Sequence, residues 1–186
     1  MQGRAQTTLD FAIGISVFLI AVAFVFTFVP GILEPFEEGP QEETLVADRV
    51  ASQLVGLTLA DPAEPYLLEV PCTTEFFKQT PDTSLDCRFD QSVDLAGSGT
   101  LEGRLGLTDR QRVNVTVVGD DVDGDGDADF LCSDDGTVTV TADAASCGGT
   151  TLAVGGPTPE SSTSVVVARR AVTIDGERAT VVVRAW

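Results

Sequence analysis

The chain contains no histidine. That absence excludes a Ser-His-Asp triad, a Cys-His pair and any zinc centre with imidazole ligands. Lysine is almost missing as well: Lys78 stands alone beside ten arginines, against 18 Asp and 11 Glu. The net charge of −18 over 186 residues argues against a basic face for a phosphate backbone, so nucleic acid is not an expected partner. Asn114 is the only asparagine, and no two cysteines have the C-x-x-C spacing of a thiolate metal site. Hydrophobic residues make up 43% of the chain, enough for a packed core, which argues against wholesale disorder. The length suits one domain or two small ones. Acids are abundant, but no constellation for catalysis is visible, and the chain reads as a non-enzyme.

Long apolar runs are equally scarce, with one exception. Phe11 to Val29 is uncharged and interrupted only by Gly14. A helix rising ~1.5 Å per residue would cover ~28 Å over this run, about one hydrocarbon core. Pro30 and Gly31 follow and are expected to bend or end the helix, and Glu34, Glu37, Glu38, Glu42 and Glu43 come next. Arg4 lies on the other side. Positive charge stays in the cytoplasm, so the N-terminus is expected inside and the remainder outside the plasma membrane, as a single-pass protein.

Asp10 sits at the edge of this run, where a carboxylate is costly. It either lies in the headgroup layer and marks the helix start, or it has a partner. The unit MQGRAQTTLDFAIG, with Arg4, Ala5 and Gln6 ahead of the acid and the apolar run, resembles the class III signal of archaeal type IV pilins and archaellins. The resemblance implies that a prepilin peptidase cuts between Ala5 and Gln6. Asp10 then becomes the fifth mature residue, placed to pair with a neighbouring subunit's N-terminal ammonium. Asp for the usual Glu, and Ala for the commoner Gly, are departures, and an uncut signal anchor is the alternative. Short acidic side chains with so little lysine also resemble the proteins of extremely halophilic archaea, whose surfaces stay hydrated when salt screening is complete.

Beyond the anchor, apolar Leu45, Val46, Val50, Leu54 and Leu57 recur at helical spacing within residues 42–59, with acids in the first turn. The Asp61-Pro62 and Glu64-Pro65 pairs stop that helix. It is expected to pack on a sheet; a membrane-surface role is disfavoured by its acidic polar face. From Tyr66 the texture is β, with strands expected at Tyr66–Val70, Val113–Val118, Thr137–Thr141, Ser164–Ile174 and Arg178–Trp186. Asp175-Gly176 joins the last two as a hairpin turn. Alternation puts Val181 and Val183 on one face of the final strand, Val182 and Arg184 on the other. The stretch VVVARRAVTIDGERATVVVRAW resembles the C-termini of haloarchaeal pilin-like membrane proteins of uncharacterised role. Its Arg169, Arg170, Arg178 and Arg184 either neutralise acids within the fold or form a docking face for an acidic partner.

All four cysteines follow the apolar run, as expected of disulfides in an oxidising compartment. Three connectivities exist; the local pairs Cys72–Cys87 and Cys132–Cys147, closing equal loops, are preferred over crossed links. Asp121, Asp123 and Asp125 occupy positions 1, 3 and 5 of a calcium loop, with Gly126 at the sharp turn, Asp127 offering its carbonyl and Asp129 at position 9. Cys132 stands where an EF-hand has its bidentate Glu, and no flanking helix pair is evident, so the EF-hand itself is not expected. The pattern resembles the short calcium loops of FG-GAP and related repeats, in a single copy; a plain solvated turn is the alternative. Asn114-Val-Thr116 is a glycosylation sequon, usable only if Asn114 faces solvent.

These readings converge on an α+β protein: a leader at 1–5, a transmembrane and assembly helix at 6–36, and a pilin-like, antiparallel β-rich extracellular head at 37–186. Its expected role is that of a structural or minor subunit of a type IV pilus-like assembly or adhesin. Its partners would be the membrane, prepilin peptidase and other pilin-like subunits, with Ca²⁺ as the candidate cofactor. The alternative is a monomeric, membrane-anchored binding module.

Overall fold

The computed structural model describes residues 3–33, 40–108, 110–159 and 164–186, with side chains from Asp10 to Thr27 in the first stretch and from Glu42 in the second. Its contacts separate Met1–Gly39 from Pro40–Trp186.

The first unit contains one helix, α1 (Gly3–Leu33). It begins before the expected start and continues past Pro30-Gly31 to Leu33, so that pair does not end it. A proline removes one intrahelical donor and crowds one carbonyl four residues back, a local penalty that a long helix can carry near its end. Between Asp10 and Thr27 the apolar side chains are open: Phe11 is 70% and Phe26 73% exposed. By length and composition this stretch can cross a membrane or serve as an export signal.

The second unit opens with α2 (Pro40–Gln53), whose last turn widens over Leu54–Thr58 before Leu59 closes it. Ala47, Val50, Ala51, Leu54 and Val55 are buried, the i, i+3, i+4 stripe of a helix lying on a sheet. Leu45 and Leu57, expected on that face, point away and are 71% and 55% exposed. The true stripe runs through the alanines, whose small side chains let the helix approach closely.

Among the described residues the sheet has eight strands. They are β1 (Leu67–Leu68), β2 (Val113–Val118), β3 (Phe130–Asp134), β4 (Thr137–Thr141), β5 (Thr150–Thr151), β6 (Ala153–Gly155), β7 (Val166–Ile174) and β8 (Glu177–Ala185). The order β1-β7-β8-β2-β3-β4 carries β5 against β3 and β6 against β2. All pairs are antiparallel except β1 with β7, which is parallel. β2 and β3 meet only at Val118–Phe130 and then splay, and the 150–155 ribbon fills the fork. Leu152 sits there, fully buried, its N–H bonded to Leu131 O and its carbonyl accepting from Val117.

Two hairpins turn on Asp-Gly. Asp175 and Gly176 have φ of 52° and 82° between β7 and β8, and Asp135 and Gly136 have 45° and 82° between β3 and β4. Both central residues take positive φ, which matches the twist of the flanking strands. The second hairpin, with β3, was not anticipated, and neither were β5 and β6. The expected strand Tyr66–Val70 shrinks to Leu67–Leu68, because Pro71 in the first turn starts α3 (Val70–Phe77) at once. A short α4 (Leu101–Arg104) is capped by Thr100, whose hydroxyl accepts from Gly103 N–H.

The core lies between one sheet face and α2, α3 and α4. Val113, Val115, Val117, Val181 and Val183 supply the sheet side, and Leu54, Val55, Leu59 and Phe76 the helical side.

Candidate functional site: the aspartate loop and its surroundings

The β2–β3 connection carries the acidic motif. Gly119 N–H donates to Asp129 O at 2.8 Å, closing the loop at its base. Gly119 also lets the chain pass tightly: a Cβ there would lie 2.6 Å from Val140 Cγ2. Within the loop, both Asp121 oxygens accept backbone N–H groups, Oδ1 from Gly124 at 2.6 Å and Oδ2 from Gly126 at 2.9 Å. Gly124 and Gly126 supply the positive φ, 82° and 96°, that turns those donors inward. These donors, Gly124 first and Gly126 second, hold the Asp121 carboxyl below the usual carboxylate range, so it stays ionised. Asp129 is 5% exposed, and its Oδ2 accepts from Val122 N–H at 2.7 Å.

Carboxylate oxygens of Asp121, Asp123 and Asp129 lie within 4.8 Å of one another. Oxygens around a hard cation bound at ~2.4 Å are separated by up to ~4.8 Å, so the three can share one ion. Asp125, expected as the ligand at position 5, is outside this group. Its Oδ1 accepts from Asp127 N–H at 2.8 Å, and Asp123 Oδ1 accepts from Asp125 N–H at 3.0 Å. The Asp127 carboxylate is also outside. The donor set is therefore two exposed aspartates and one buried one.

The disulfides are Cys72–Cys87 and Cys132–Cys147, with Cα–Cα distances of 5.4 and 5.5 Å, and no described cysteine is free. The second ties β3, which leaves the aspartate loop, to the turn ahead of β5. Asn114 is half-buried near the start of β2. Its Nδ2 donates to Gly156 O at 3.2 Å, and its Oδ1 accepts from Thr116 Oγ1 at 3.1 Å. The sequon asparagine thus carries structural bonds on both amide atoms. Arg4, Ala5 and Gln6 fall in the first turns of α1, and their side chains lie outside the described residues. Met1 and Gln2 of the leader also lie outside them. Asp10 is exposed beside Phe11.

A cleft of about 450 Å³ opens between α3 and the β3–β5 pair, lined by Thr74, Glu75, Lys78, Leu85, Ser133 and Thr150. Its polar groups engage each other: Lys78 Nζ donates to Glu75 Oε1 at 2.5 Å, and Thr74 and Ser133 hydroxyls lie 2.6 Å apart.

Sequence reasoning missed Arg104. It is 4% exposed and donates to the carbonyls of Phe76 (2.5 Å), Lys78 (3.0 Å) and Val93 (2.7 Å). Its guanidinium lies 5.9 Å from the Phe76 ring centre and 5.8 Å from that of Phe89. It ties the long 78–100 connection to α3. Only its place in a short apolar segment, Leu101 to Leu107, hinted at burial.

No curated protein and no solved structure matches the chain. The model of one family does match, over residues 2–186, and so the chain belongs to the family of unknown function DUF7287.

Proposed function

We propose that the chain is a pilin-like, single-pass surface protein of a halophilic archaeon, a structural or minor subunit of a type IV pilus-like assembly or adhesin. The carrying observation is α1: an apolar stretch from Asp10 to Thr27, open along its length, with one carboxylate at its start. An isolated helix of this kind needs lipid or like helices around it. Arg4 on one side and five glutamates on the other favour a cytoplasmic N-terminus, and two disulfides favour an oxidising exterior for the head. Prepilin peptidase would release Gln6 as the new N-terminus, and its ammonium on one subunit would meet Asp10 of the next. Mature protein beginning at Gln6, reconstituted in liposomes at molar NaCl, is expected to form oligomers that crosslinking in the lipid phase detects. Asp10→Ala should lower the oligomer yield at least about tenfold, the effect of an interaction worth ~1.4 kcal/mol. Equal yields would remove Asp10 from the account.

A second reading, a monomeric anchored module that binds calcium, is favoured by the convergence of Asp121, Asp123 and Asp129. Three carboxylates and loop carbonyls offer the hard oxygen donors calcium takes, with affinity of about 10⁻⁴–10⁻³ M for a site of this exposure. Calorimetric Ca²⁺ titration of the full chain in molar NaCl should show binding that Asp123→Ala abolishes and Asp125→Ala retains. Identical responses from all three proteins would make the loop a solvated turn.

A further inference from the structure

The four arginines of the β7–β8 hairpin do not share one role. Arg170 faces α2, where its guanidinium pairs with Asp48 at 2.5 Å and bonds Ser52 Oγ at 3.2 Å. Arg169, Arg178 and Arg184 have the opposite parity, on the face turned away from α2. None of the three has an acidic partner among the described residues. Arg184 is half-buried and reaches Asn114 Oδ1 only at 3.5 Å; Arg169 and Arg178 are exposed.

The rest of this face is also unusual for the chain. Alternate residues from Val167 to Thr173 on β7, Arg178 to Arg184 on β8 and Asn114 to Val118 on β2 share it, and none is an acid. The chain as a whole carries 29 acids against 11 bases. Between the arginines lie Val167, 42% exposed, and Ala171, also exposed. Val182 is 3% exposed, with Arg169 directly opposite on β7 and Thr116 on β2. Arginines interleaved with aliphatic residues, on strands whose outward positions hold no lysine or carboxylate, make the composition of a protein contact surface. Burial, and then the neighbouring charge of Arg169, pull the Arg184 guanidinium below its ordinary value. Asp120, just past the end of β2, borders the Arg178 end of the face, so the Arg169 and Arg184 end is the part without a carboxylate beside it.

We propose that this outer sheet face docks the acidic surface of a second copy of the chain, through Arg169, Arg178 and Arg184. Charge complementarity selects that occupant. Every copy carries a large excess of carboxylates elsewhere, and copies repel one another except where this face is presented to an acidic one. Patch and complement are different surfaces, so the contact is heterologous and propagates rather than closing into a two-fold dimer. The inference rests on the assembly reading above in one respect: anchoring in a common membrane supplies the effective concentration that a small contact needs.

The test is arginine-specific modification by phenylglyoxal, read residue by residue by mass spectrometry. Full-length protein assembled in neutral-lipid liposomes is compared with the same protein dispersed in detergent, both at the same salt. Arg169 and Arg178 should react about tenfold more slowly when assembled, the protection of a contact worth ~1.4 kcal/mol. Arg169→Glu/Arg178→Glu should lower the assembled fraction while leaving the melting temperature within a few degrees. If oligomers form but both arginines react as fast as in detergent, this contact is wrong and the assembly reading stands. If no oligomers form at any protein-to-lipid ratio, both fall. Protection that appears on dispersed protein only with anionic vesicles would assign the face to lipid headgroups and overturn the second-copy proposal.

Discussion

Arg104 is a buried charge that holds backbone rather than an acidic partner. A buried guanidinium that donates to four carbonyls, those of Phe76, Lys78, Gln79 and Val93, replaces secondary structure in a connection that has almost none, from Lys78 to Thr100. Arg104→Met keeps much of the volume but leaves those carbonyls without donors. The expected loss is about 3 kcal/mol, from unmet buried acceptors and lost packing on Phe76 and Phe89. Denaturant unfolding in molar salt should show a lower midpoint with an unchanged slope. A change below ~0.5 kcal/mol would mean that water replaces the guanidinium freely. Asp121 shows the same logic at the surface: the N–H groups of Gly124 and Gly126 hold both of its carboxylate oxygens.

Among the elements, α2 separates what periodicity can and cannot reveal. Spacing alone marked Val50 and Leu54 correctly but enlisted Leu45 and Leu57, because size and hydropathy outrank alanine in any pattern count. The structure uses Ala47 and Ala51 instead, since contact with β7 and β8 depends on close approach. Leu54→Ala should therefore cost about 2–5 kcal/mol, and Leu57→Ala no more than ~0.5 kcal/mol. Thermal unfolding of the two variants checks the assignment, and similar losses would contradict it. Strands with β-branched runs, β2, β4, β7 and β8, were legible, as was the Asp175-Gly176 turn. β3 was not: Phe130–Asp134 mixes Cys, Ser and Asp directly after an aspartate tract, and its pairing is decided by tertiary contact. Tyr66–Val70 read as strand because local propensity cannot see that Pro71 begins a helix. At the site, spacing identified the loop and three of its converging acids, but placed Asp125 as a ligand where its carboxylate instead accepts from the Asp127 N–H two residues on.

The whole molecule joins two physical problems: an apolar helix that water cannot accommodate, and a chain charge of −18, nearly all of it beyond that helix, that opposes condensation with its own kind. Salt bears on the second. Screening lengths of ~3 Å in 1 M salt remove long-range repulsion but leave contact pairs partly intact. The head should melt at a higher temperature in molar NaCl than in 0.1 M, as recorded by circular dichroism. The same temperature in both would argue that the acidic surface is not adapted to salt. In the proposed reading lipid or neighbouring helices solve the first problem, and the processing of the N-terminus shows whether α1 enters an assembly route. The most direct measurement is the intact mass and N-terminal sequence of the protein purified from its host membranes. The account predicts a mature chain beginning at Gln6, with α1 retained and Asp10 as its fifth residue. A chain that keeps residues 2–5, or one that has lost the apolar stretch altogether, would contradict it.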